Sequence, residues 1–202
     1  MKDYMNKLDI IYDPKDAIDY FNILKDNFQH FHWGYRKHHN EPSVIDPKNF
    51  IDEMNGWGLQ TIYSDPSFPY HCDLDPHDEG PEYFKDTPMV FGFFKRLKDM
   101  LFEPYRSFLF NWPAGQKLGK WQSHTPPHVS IIVPVITNSQ VEVIVHSNPV
   151  QHTYLEEGHI YLLDTNEYPA EFKNNSGEEI TIIVVNVPLK YSQHVLNLTG
   201  TI

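Results

Sequence analysis

Four runs of aliphatic and β-branched residues constrain the fold of this chain more than any other feature. They occupy residues 129–135, 141–145, 159–163 and 180–187. Polar or turn-forming segments separate them, among them Glu156-Glu157-Gly158. Short apolar strands with turn signals between them are typical of an all-β sandwich or barrel. The pattern therefore predicts a β region, and residues 106–112 are its expected first strand.

The residues before this β region carry a helical pattern instead. Asp13-Pro14 is a typical helix start, because Asp caps the first turn and Pro is tolerated there. Helical spacing then predicts an apolar face to about residue 30 that includes Ile18, Phe21, Leu24 and Phe28. A later helix begins at Thr87-Pro88, and its predicted apolar positions are Phe91, Phe94, Leu97 and Leu101.

We expect these helices to buttress one face of the β structure within a single domain of 202 residues. In this division, residues 1–105 form a helical and loop-rich N-terminal part, and residues 106–190 form the β-barrel core. A short helix over 46–53 and a strand over 59–63 complete the predicted N-terminal part.

Charge and composition narrow the classes of partner and compartment. The formal net charge of -11 argues against a nucleic-acid backbone or an anionic membrane as the main partner, although it equally suits a solubility role. No run approaches the roughly 18 apolar residues of a membrane helix, and the N-terminus has no apolar signal-peptide core. Cys72 is the single cysteine, so a reducing compartment is expected. The sequence thus predicts a cytoplasmic protein.

Three histidine-containing segments raise the question of a metal site. Residues 30–39 and 71–78 hold several histidines, but without the ligand spacing of a known metal loop, so a surface or packing role is the simpler interpretation. In His124-Thr-Pro-Pro-His128, two prolines stiffen the loop and can aim both imidazoles across one opening. His124 and His128 are therefore the candidate metal ligands, although this spacing in a loop lacks the register that a helix would give it.

Side chains in and around the strands offer further candidates. Alternation places His159 and Tyr161 on the face opposite to Ile160 and Leu162, and that face is either the barrel interior or solvent. Glu167 and Glu171 are conceivable carboxylate ligands, but both are interpreted more simply as exposed loop charges.

Several short segments occur in an order that resembles a known group of proteins over roughly residues 50–188. They are Gly56-Trp57-Gly58-Leu59-Gln60, Pro69-Tyr70, residues 83–87, Arg106, Pro113-Ala114-Gly115, residues 132–138, residues 157–165 and Asn174-Asn175. In this order they resemble the aspartyl/asparaginyl β-hydroxylase-like branch of the Fe(II)/2-oxoglutarate oxygenases, which includes short members from phages and marine bacteria.

This resemblance implies a mainly β fold, namely a double-stranded β-helix or cupin-like jelly roll with buttressing N-terminal helices. It also implies an iron held by histidines, often with a carboxylate, and a basic side chain that pairs with the distal carboxylate of 2-oxoglutarate. Fe(II) and 2-oxoglutarate are therefore the cofactors expected if the family chemistry is retained.

Three of the family's functional positions carry other residues in this chain. In the window Lys120-Trp-Gln-Ser-His124, Gln122 stands where the first histidine belongs and His124 stands where the carboxylate belongs. Tyr168-Pro169-Ala170 occupies the place of the second histidine, and Glu179-Ile180 that of the usual arginine. Gln122 and Lys120 are the candidates for contacting the cosubstrate. The candidates for lining a pocket are Trp112, Trp121 and Tyr168.

Two classes of function follow from this pattern. The first is a divergent Fe(II)/2-oxoglutarate-dependent oxygenase that hydroxylates a protein side chain or a small molecule. The second is a catalytically degenerate cupin-type module for binding or assembly, with or without a metal at a non-standard histidine site. Both have a small molecule or a protein as partner, and both are compatible with a homodimer.

Overall fold

The computed structural model of the chain describes residues 3–27, 31–32, 57–62, 92–101, 106–112, 114–115, 117–121 and 127–202. Three groups of predicted features lie outside these residues. They are the helix over 46–53, the histidine-rich residues 33–39 and 71–78, and the segment 122–126 with Gln122 and His124.

Strands dominate the described residues, as the sequence predicted. In chain order they are β1 (Met5–Ile11), β2 (Phe31–His32), β3 (Trp57–Ile62), β4 (Arg106–Trp112), β5 (Lys117–Trp121), β6 (His128–Ile136), β7 (Val141–Val145), β8 (Gln151–Tyr154), β9 (His159–Leu163), β10 (Ala170–Asn174), β11 (Ile180–Pro188) and β12 (Thr199–Thr201). The helices are α1 (Pro14–Asn27), α2 (Gly92–Met100) and α3 (Ser192–Leu196).

The strands form two sheets that together give the expected double-stranded β-helix. The large sheet has the order β12-β1-β9-β6-β11-β4-β3-β2, and the small sheet has the order β5-β10-β7-β8. From β4 to β11 the chain crosses to the other sheet at every step except the β7–β8 hairpin. This alternation winds antiparallel strands into a jelly roll, so the predicted fold class is confirmed.

The two faces of the large sheet enter two different cores. In β6 and β11, one face packs against the helices and the other packs against the small sheet. The helix-facing residues are Val129, Ile131, Val133, Val135, Ile183, Val185 and Val187. The residues that face the small sheet include Ile132, Ile180, Ile182 and Val184. Because both faces are covered, these strands are nearly continuous apolar runs, and this is why their sequence signal is so strong.

Helices α1 and α2 buttress the large sheet, as expected. Phe21 of α1 and Leu97 of α2 are buried in the core that they share with the sheet, and Arg96 of α2 pairs with Asp16 of α1 at 2.7 Å. The buried side of α2 also includes Phe93, which is 1% exposed and was not among the predicted apolar positions. Phe91 and the side chain of Phe94 lie outside the described residues.

Strand β1 is an addition that the sequence pattern did not predict. It pairs antiparallel with β9 and parallel with β12, so it extends the large sheet beyond the barrel. Its buried residues are Met5, Leu8 and Ile10, and its pairing with β9 shifts register between Lys7 and Ile11. The step of three residues between Met5 and Leu8 breaks the two-residue period, which hides the strand from pattern analysis.

Candidate functional site: the barrel mouth

One end of the barrel brings together three of the residues that the sequence analysis singled out, namely His128, Tyr168 and the backbone of Trp121. At this end, here called the mouth, β6 and β10 begin while β9 and β11 end. The pairing shows this directly, since Ser130 lies opposite both Leu163 and Asn186. Ala170 of β10 lies opposite Val145 and Trp121 in the small sheet. Pairing of the strands thus places Trp121, the last described residue before the first ligand region that the resemblance implies, next to Ala170 of the second region.

A row of polar side chains lines the large sheet at the mouth. His128, Ser130 and Asn186 are 8%, 0% and 3% exposed, although their strands are otherwise apolar. The Ser130 hydroxyl donates a hydrogen bond to Oδ1 of Asn186 at 3.1 Å. This pairing satisfies the buried Ser130 hydroxyl, and unpaired polar groups at such depth would be costly. Ser130 and Asn186 thus give the mouth uncharged hydrogen-bonding groups.

The connection between β9 and β10 closes over this row. Nδ2 of Asn166 donates to the backbone carbonyl of His128 at 2.8 Å and to Oδ1 of Asp164 at 2.7 Å. Asp164 also accepts a hydrogen bond from the backbone N–H of Asn166. These contacts hold the loop that carries Tyr168 against the start of β6.

Tyr4, just before β1, contributes an aromatic side chain to the same place. Its ring packs edge-to-face on Tyr168 with 5.1 Å between centroids, and its hydroxyl donates to Oε2 of Glu167 at 2.8 Å. The hydrogen bond to Glu167 is the main reason why the pKa of Tyr4 is raised to about 12. Sequence reasoning missed this residue, because nothing in the N-terminal segment signals a contact with residues 164–168.

Behind the polar row, β10 and β11 place mainly apolar side chains between the sheets. Ala170 and Phe172 of β10 point between the sheets, and both are at most 1% exposed. Ile180 and Ile182 of β11 enter the same core from the large sheet. The resemblance implies a histidine near the first of these positions and a cation near the start of β11. The described residues supply neither at those places, so they do not fit the family's iron and 2-oxoglutarate centre.

Potential metal-ligating side chains elsewhere in the described residues do not form a metal site either. In the described part of the chain, no group of three or more His, Cys, Asp or Glu side chains is arranged to hold a metal ion. Glu171, a candidate carboxylate, lies in β10 rather than in a loop, and its Oε2 is 3.4 Å from Nε2 of His146. That contact lacks the alignment of a hydrogen bond, since Nε2 of His146 is buried without a hydrogen-bond partner.

A second histidine–glutamate pair occupies the small sheet. Nδ1 of His152 lies 2.7 Å from Oε1 of Glu142, on paired neighbouring strands. Glu142 alternates with Val141 and Val143, which enter the core between the sheets, so this pair lies on the opposite, outer face. These residues are therefore separate from the barrel mouth.

The structure distributes the predicted site residues as follows. His128 and Tyr168 lie at the mouth, and the backbone of Trp121 ends β5 at the same place, one residue after Lys120. Trp112 ends β4 opposite Ile180, at the far end of β11 from the mouth. The backbone register thus separates Trp112 from Trp121 and Tyr168. His124 and Gln122 lie outside the described residues, so the metal and cosubstrate roles stay predictions.

Ser130 and Asn186 are site residues that the sequence analysis did not name. Their signal was present, since each is a polar interruption in an aliphatic strand, within Val129-Ser-Ile-Ile and Val184-Val-Asn-Val. A buried polar side chain in a strand needs a hydrogen-bond partner. Two buried polar side chains on adjacent strands are therefore candidates to bond each other. Whether the two would be paired could not be predicted before the register between β6 and β11 was known.

No family model matches the chain, and no curated protein matches it. Among the described residues, no helix is long and apolar enough to span a membrane. A 2OG-Fe(II) oxygenase family oxidoreductase from Burkholderia pseudomallei aligns with a TM-score of 0.50 and 11% identity, over 84% of this chain and 77% of that chain.

Shorter matches include two cupin domains. One, from Bordetella pertussis, has a TM-score of 0.32 and 15% identity over 40% of this chain and 77% of its own. The other is the CENP-C cupin domain of Drosophila melanogaster, with a TM-score of 0.34 and 12% identity over 40% of this chain and 59% of its own. The likeness to the Burkholderia structure shows the fold alone: the chain has the jelly roll that is also found in a 2OG-Fe(II) oxygenase family protein.

Proposed function

We propose that this chain is a jelly-roll binding module whose barrel mouth recognises a polar, uncharged group of a small molecule or protein segment. The proposal rests on one observation: where the resemblance implies a second histidine and an arginine, the chain has Tyr168-Pro169-Ala170 and Glu179-Ile180, and none of these residues supplies an imidazole or a cation. Ala170 and Ile180 are 0% and 1% exposed and pack between the sheets, whereas Pro169 is partly exposed and Glu179 is exposed.

The electrostatics of the interior support the same proposal. A dicarboxylate such as 2-oxoglutarate is held by a bidentate cation in a desolvated pocket, because an unpaired buried carboxylate is strongly destabilised. The inward positions of β11 near its start are isoleucine and valine, and Glu179 precedes them. Uncharged hydrogen-bonding groups at the mouth, contributed by Ser130 and Asn186, suit a carbonyl, amide or hydroxyl group better than a carboxylate.

The test is a comparison of metal content and thermal stability under anaerobic conditions. The purified protein is measured alone, with Fe(II), and with Fe(II) plus 2-oxoglutarate. We expect neither stoichiometric iron nor added stability from 2-oxoglutarate. A ligand at about a hundredfold excess over its Kd would add about 2.7 kcal/mol to the free energy of unfolding. Stoichiometric iron with a further 2-oxoglutarate-dependent stabilisation of this order would overturn the proposal.

A divergent oxygenase is the second candidate, and two observations favour it. The fold match to the 2OG-Fe(II) oxygenase family protein spans most of this chain, and His128 is buried at the mouth. In this alternative, His124 and His128 hold a non-standard metal. The finer assignment to the aspartyl/asparaginyl β-hydroxylase-like branch belongs to the same alternative.

Substitutions separate the two candidates. If the second is correct, His124→Ala and His128→Ala each remove bound iron and the formation of succinate from 2-oxoglutarate. His152→Ala is the matched control, because His152 pairs with Glu142 on the outer face of the small sheet and should leave both unchanged. Loss of metal only in the first two variants would favour the oxygenase.

A further inference from the structure

Strand β8 lies at one edge of the small sheet. Among the described strands it pairs only with β7, and residues 146–155, which contain it, include no Asp, Glu, Lys or Arg. Proteins usually protect such an edge with a lysine, a proline within the strand or a covering segment, because its outward N–H and C=O groups can pair with another chain. Strand β8 contains neither a lysine nor a proline.

The hydrogen-bond pattern of the small sheet shows which backbone groups of β8 point outward. Leu155 donates its backbone N–H to the carbonyl of Val141 at 3.0 Å. Bonded and non-bonded pairs alternate along an antiparallel ladder, so Thr153 is the next residue bonded to β7. The N–H and C=O groups of His152 and Tyr154 therefore point away from β7, toward the open edge.

The other side of β7 shows the same alternation. His146 donates its backbone N–H to the carbonyl of Pro169 at 2.9 Å, so the even-numbered residues of β7 bond toward β10 and the odd-numbered ones toward β8. Within the described part of the chain, the outward N–H groups of His152 and Tyr154 have no acceptor. The carbonyl of Tyr154 accepts one long hydrogen bond, from the hydroxyl of Tyr161 at 3.4 Å, and keeps a second lone pair.

The same edge exposes apolar side chains. Four large hydrophobic side chains are exposed among the described residues, and Val150 and Tyr154, at 48% and 53%, are two of them. Tyr154 lies opposite Glu142 and therefore shares the outer face of the small sheet with His152. Aromatic side chains and few charges are typical of the centre of a protein–protein interface.

We propose that a second copy of this chain pairs with this edge, with the two β8 strands antiparallel around a two-fold axis at His152. In this register the two copies of His152 form a hydrogen-bonded pair, and Tyr154 lies opposite the partner's Val150. The outward N–H groups of the edge are then bonded. Each exposed tyrosine also gains an aliphatic neighbour across the strands, which is a favourable pair.

The edge suits a second copy better than a strand of another protein because it is complementary to itself. Its outward backbone groups are related by the two-fold axis, and its two exposed apolar side chains lie at equal distances on either side of His152. A two-fold axis at Thr153 would instead place Val150 opposite the partner's Glu156, an apolar side chain against a charge. The axis at His152 is therefore the favoured one.

Sedimentation velocity of the full chain tests the association itself. The protein is studied at rising concentration, up to about 0.5 mM, because a small interface binds weakly. We expect the mass to rise to that of a dimer and no further, since the pairing uses the edge of both copies. A monomer at every concentration would overturn the inference and leave the edge to a strand of a different protein.

Two substitutions at the centre test whether the backbone makes the pairing. His152→Pro removes the outward N–H, whereas His152→Ala removes the imidazole and keeps the N–H. An edge strand tolerates proline where the N–H faces outward, so the monomer should stay folded, and thermal unfolding checks this. We expect His152→Pro to raise the dimer Kd about tenfold or more and His152→Ala to change it less than about threefold. Equal losses in the two variants would overturn backbone pairing.

Cross-linking tests the register and stays decisive if His152→Pro does not fold. In a Cys72→Ser background, single cysteines are introduced as His152→Cys or Tyr154→Cys and treated with a short bismaleimide. The paired Cα atoms at position 152 lie about 5.5 Å apart. Those at position 154 are separated by four residues, about 14 Å along the strands.

We expect His152→Cys to form the covalent dimer about tenfold or more faster than Tyr154→Cys. Both native side chains are about half exposed, so random collision alone would give similar rates. Similar rates in the two variants, or a faster reaction at position 154, would overturn the proposed register.

Discussion

Single hydroxyl groups make specific hydrogen bonds within cores that are otherwise almost entirely apolar. Tyr12 lies between β1 and α1, is 4% exposed, and donates its hydroxyl hydrogen bond to the backbone carbonyl of Pro134 in β6. Pro134 has no N–H, and the pairing of β6 with β11 shifts register next to it. The tyrosine therefore satisfies a buried acceptor where the regular ladder is interrupted.

Tyr12→Phe should lower the free energy of unfolding by about 1–3 kcal/mol, the usual cost of leaving a buried polar group without its partner. Urea unfolding followed by circular dichroism would measure it. The exposed Tyr154→Phe should change the value by less than about 0.5 kcal/mol. Similar small effects in both variants would show that the Tyr12 hydrogen bond contributes nothing net.

The Tyr4 hydrogen bond predicts a defined pH dependence. The pKa of Tyr4 is raised from 10.0 to about 12, chiefly by its bond to Glu167. A group whose pKa is higher in the folded state stabilises that state fully below the unfolded pKa, and this contribution is lost as pH rises through the folded pKa. The stability difference between the wild type and Tyr4→Phe should therefore be constant below about pH 9 and shrink between about pH 10 and 12. Unfolding curves of both proteins across this range would check it; a constant difference would contradict it.

At the scale of elements, α2 shows where pattern analysis succeeded and where it failed. Leu97 and Leu101 were predicted as apolar positions, and both are buried. Phe93 was missed because a run of neighbouring phenylalanines fits more than one helical face, and only the packing partners decide between them. Here the deciding partners are Tyr12 and Tyr20, whose ring centroids lie 5.3 Å and 6.4 Å from that of Phe93.

Phe93→Ala should cost about 3–5 kcal/mol of unfolding free energy, because it leaves a cavity between α2, α1 and the large sheet. Lys95→Ala in the same helix removes a side chain that is 51% exposed, and its effect should be within about 0.5 kcal/mol. Equilibrium denaturation of both variants provides the comparison. A loss below about 1 kcal/mol for Phe93→Ala would show that α2 contributes little to the fold.

At the scale of the whole molecule, sequence information was strongest for strands that carry buried apolar side chains on both faces. The predicted runs at 141–145 and 159–163 coincide with β7 and β9, and β6 and β11 extend the other two runs by one residue at one or both ends. Strands β5, β8 and β10 were not predicted, because they are short and mix charged or polar residues with apolar ones. The polar row at the mouth could not be assembled from sequence, since it depends on pairing between residues 56 positions apart.

Hydrogen exchange should reflect the same architecture. Strand β11 is paired on both sides, by β6 and β4, whereas β12 pairs only with β1 among the described strands and has three exposed residues. We therefore expect the amides of β11 to exchange last, with free energies near that of global unfolding, and those of β12 to exchange by local opening. Comparable protection in the two strands would contradict this order.

Because β6 and β11 are covered by apolar side chains on both faces, their hydrophobic pattern alone does not fix one strand register. A slip of one residue moves every side chain of a strand to the other face, and here it would exchange one aliphatic set for another with little change in buried area. Burial of apolar area therefore does not distinguish the native register from one shifted by a residue. Ser130 and Asn186 do distinguish them, because only the native register lets their side chains meet, and Pro134 is tolerated only where the ladder is interrupted. Ser130, Asn186 and Pro134 interrupt an otherwise aliphatic sheet, and in doing so they specify a single register between β6 and β11.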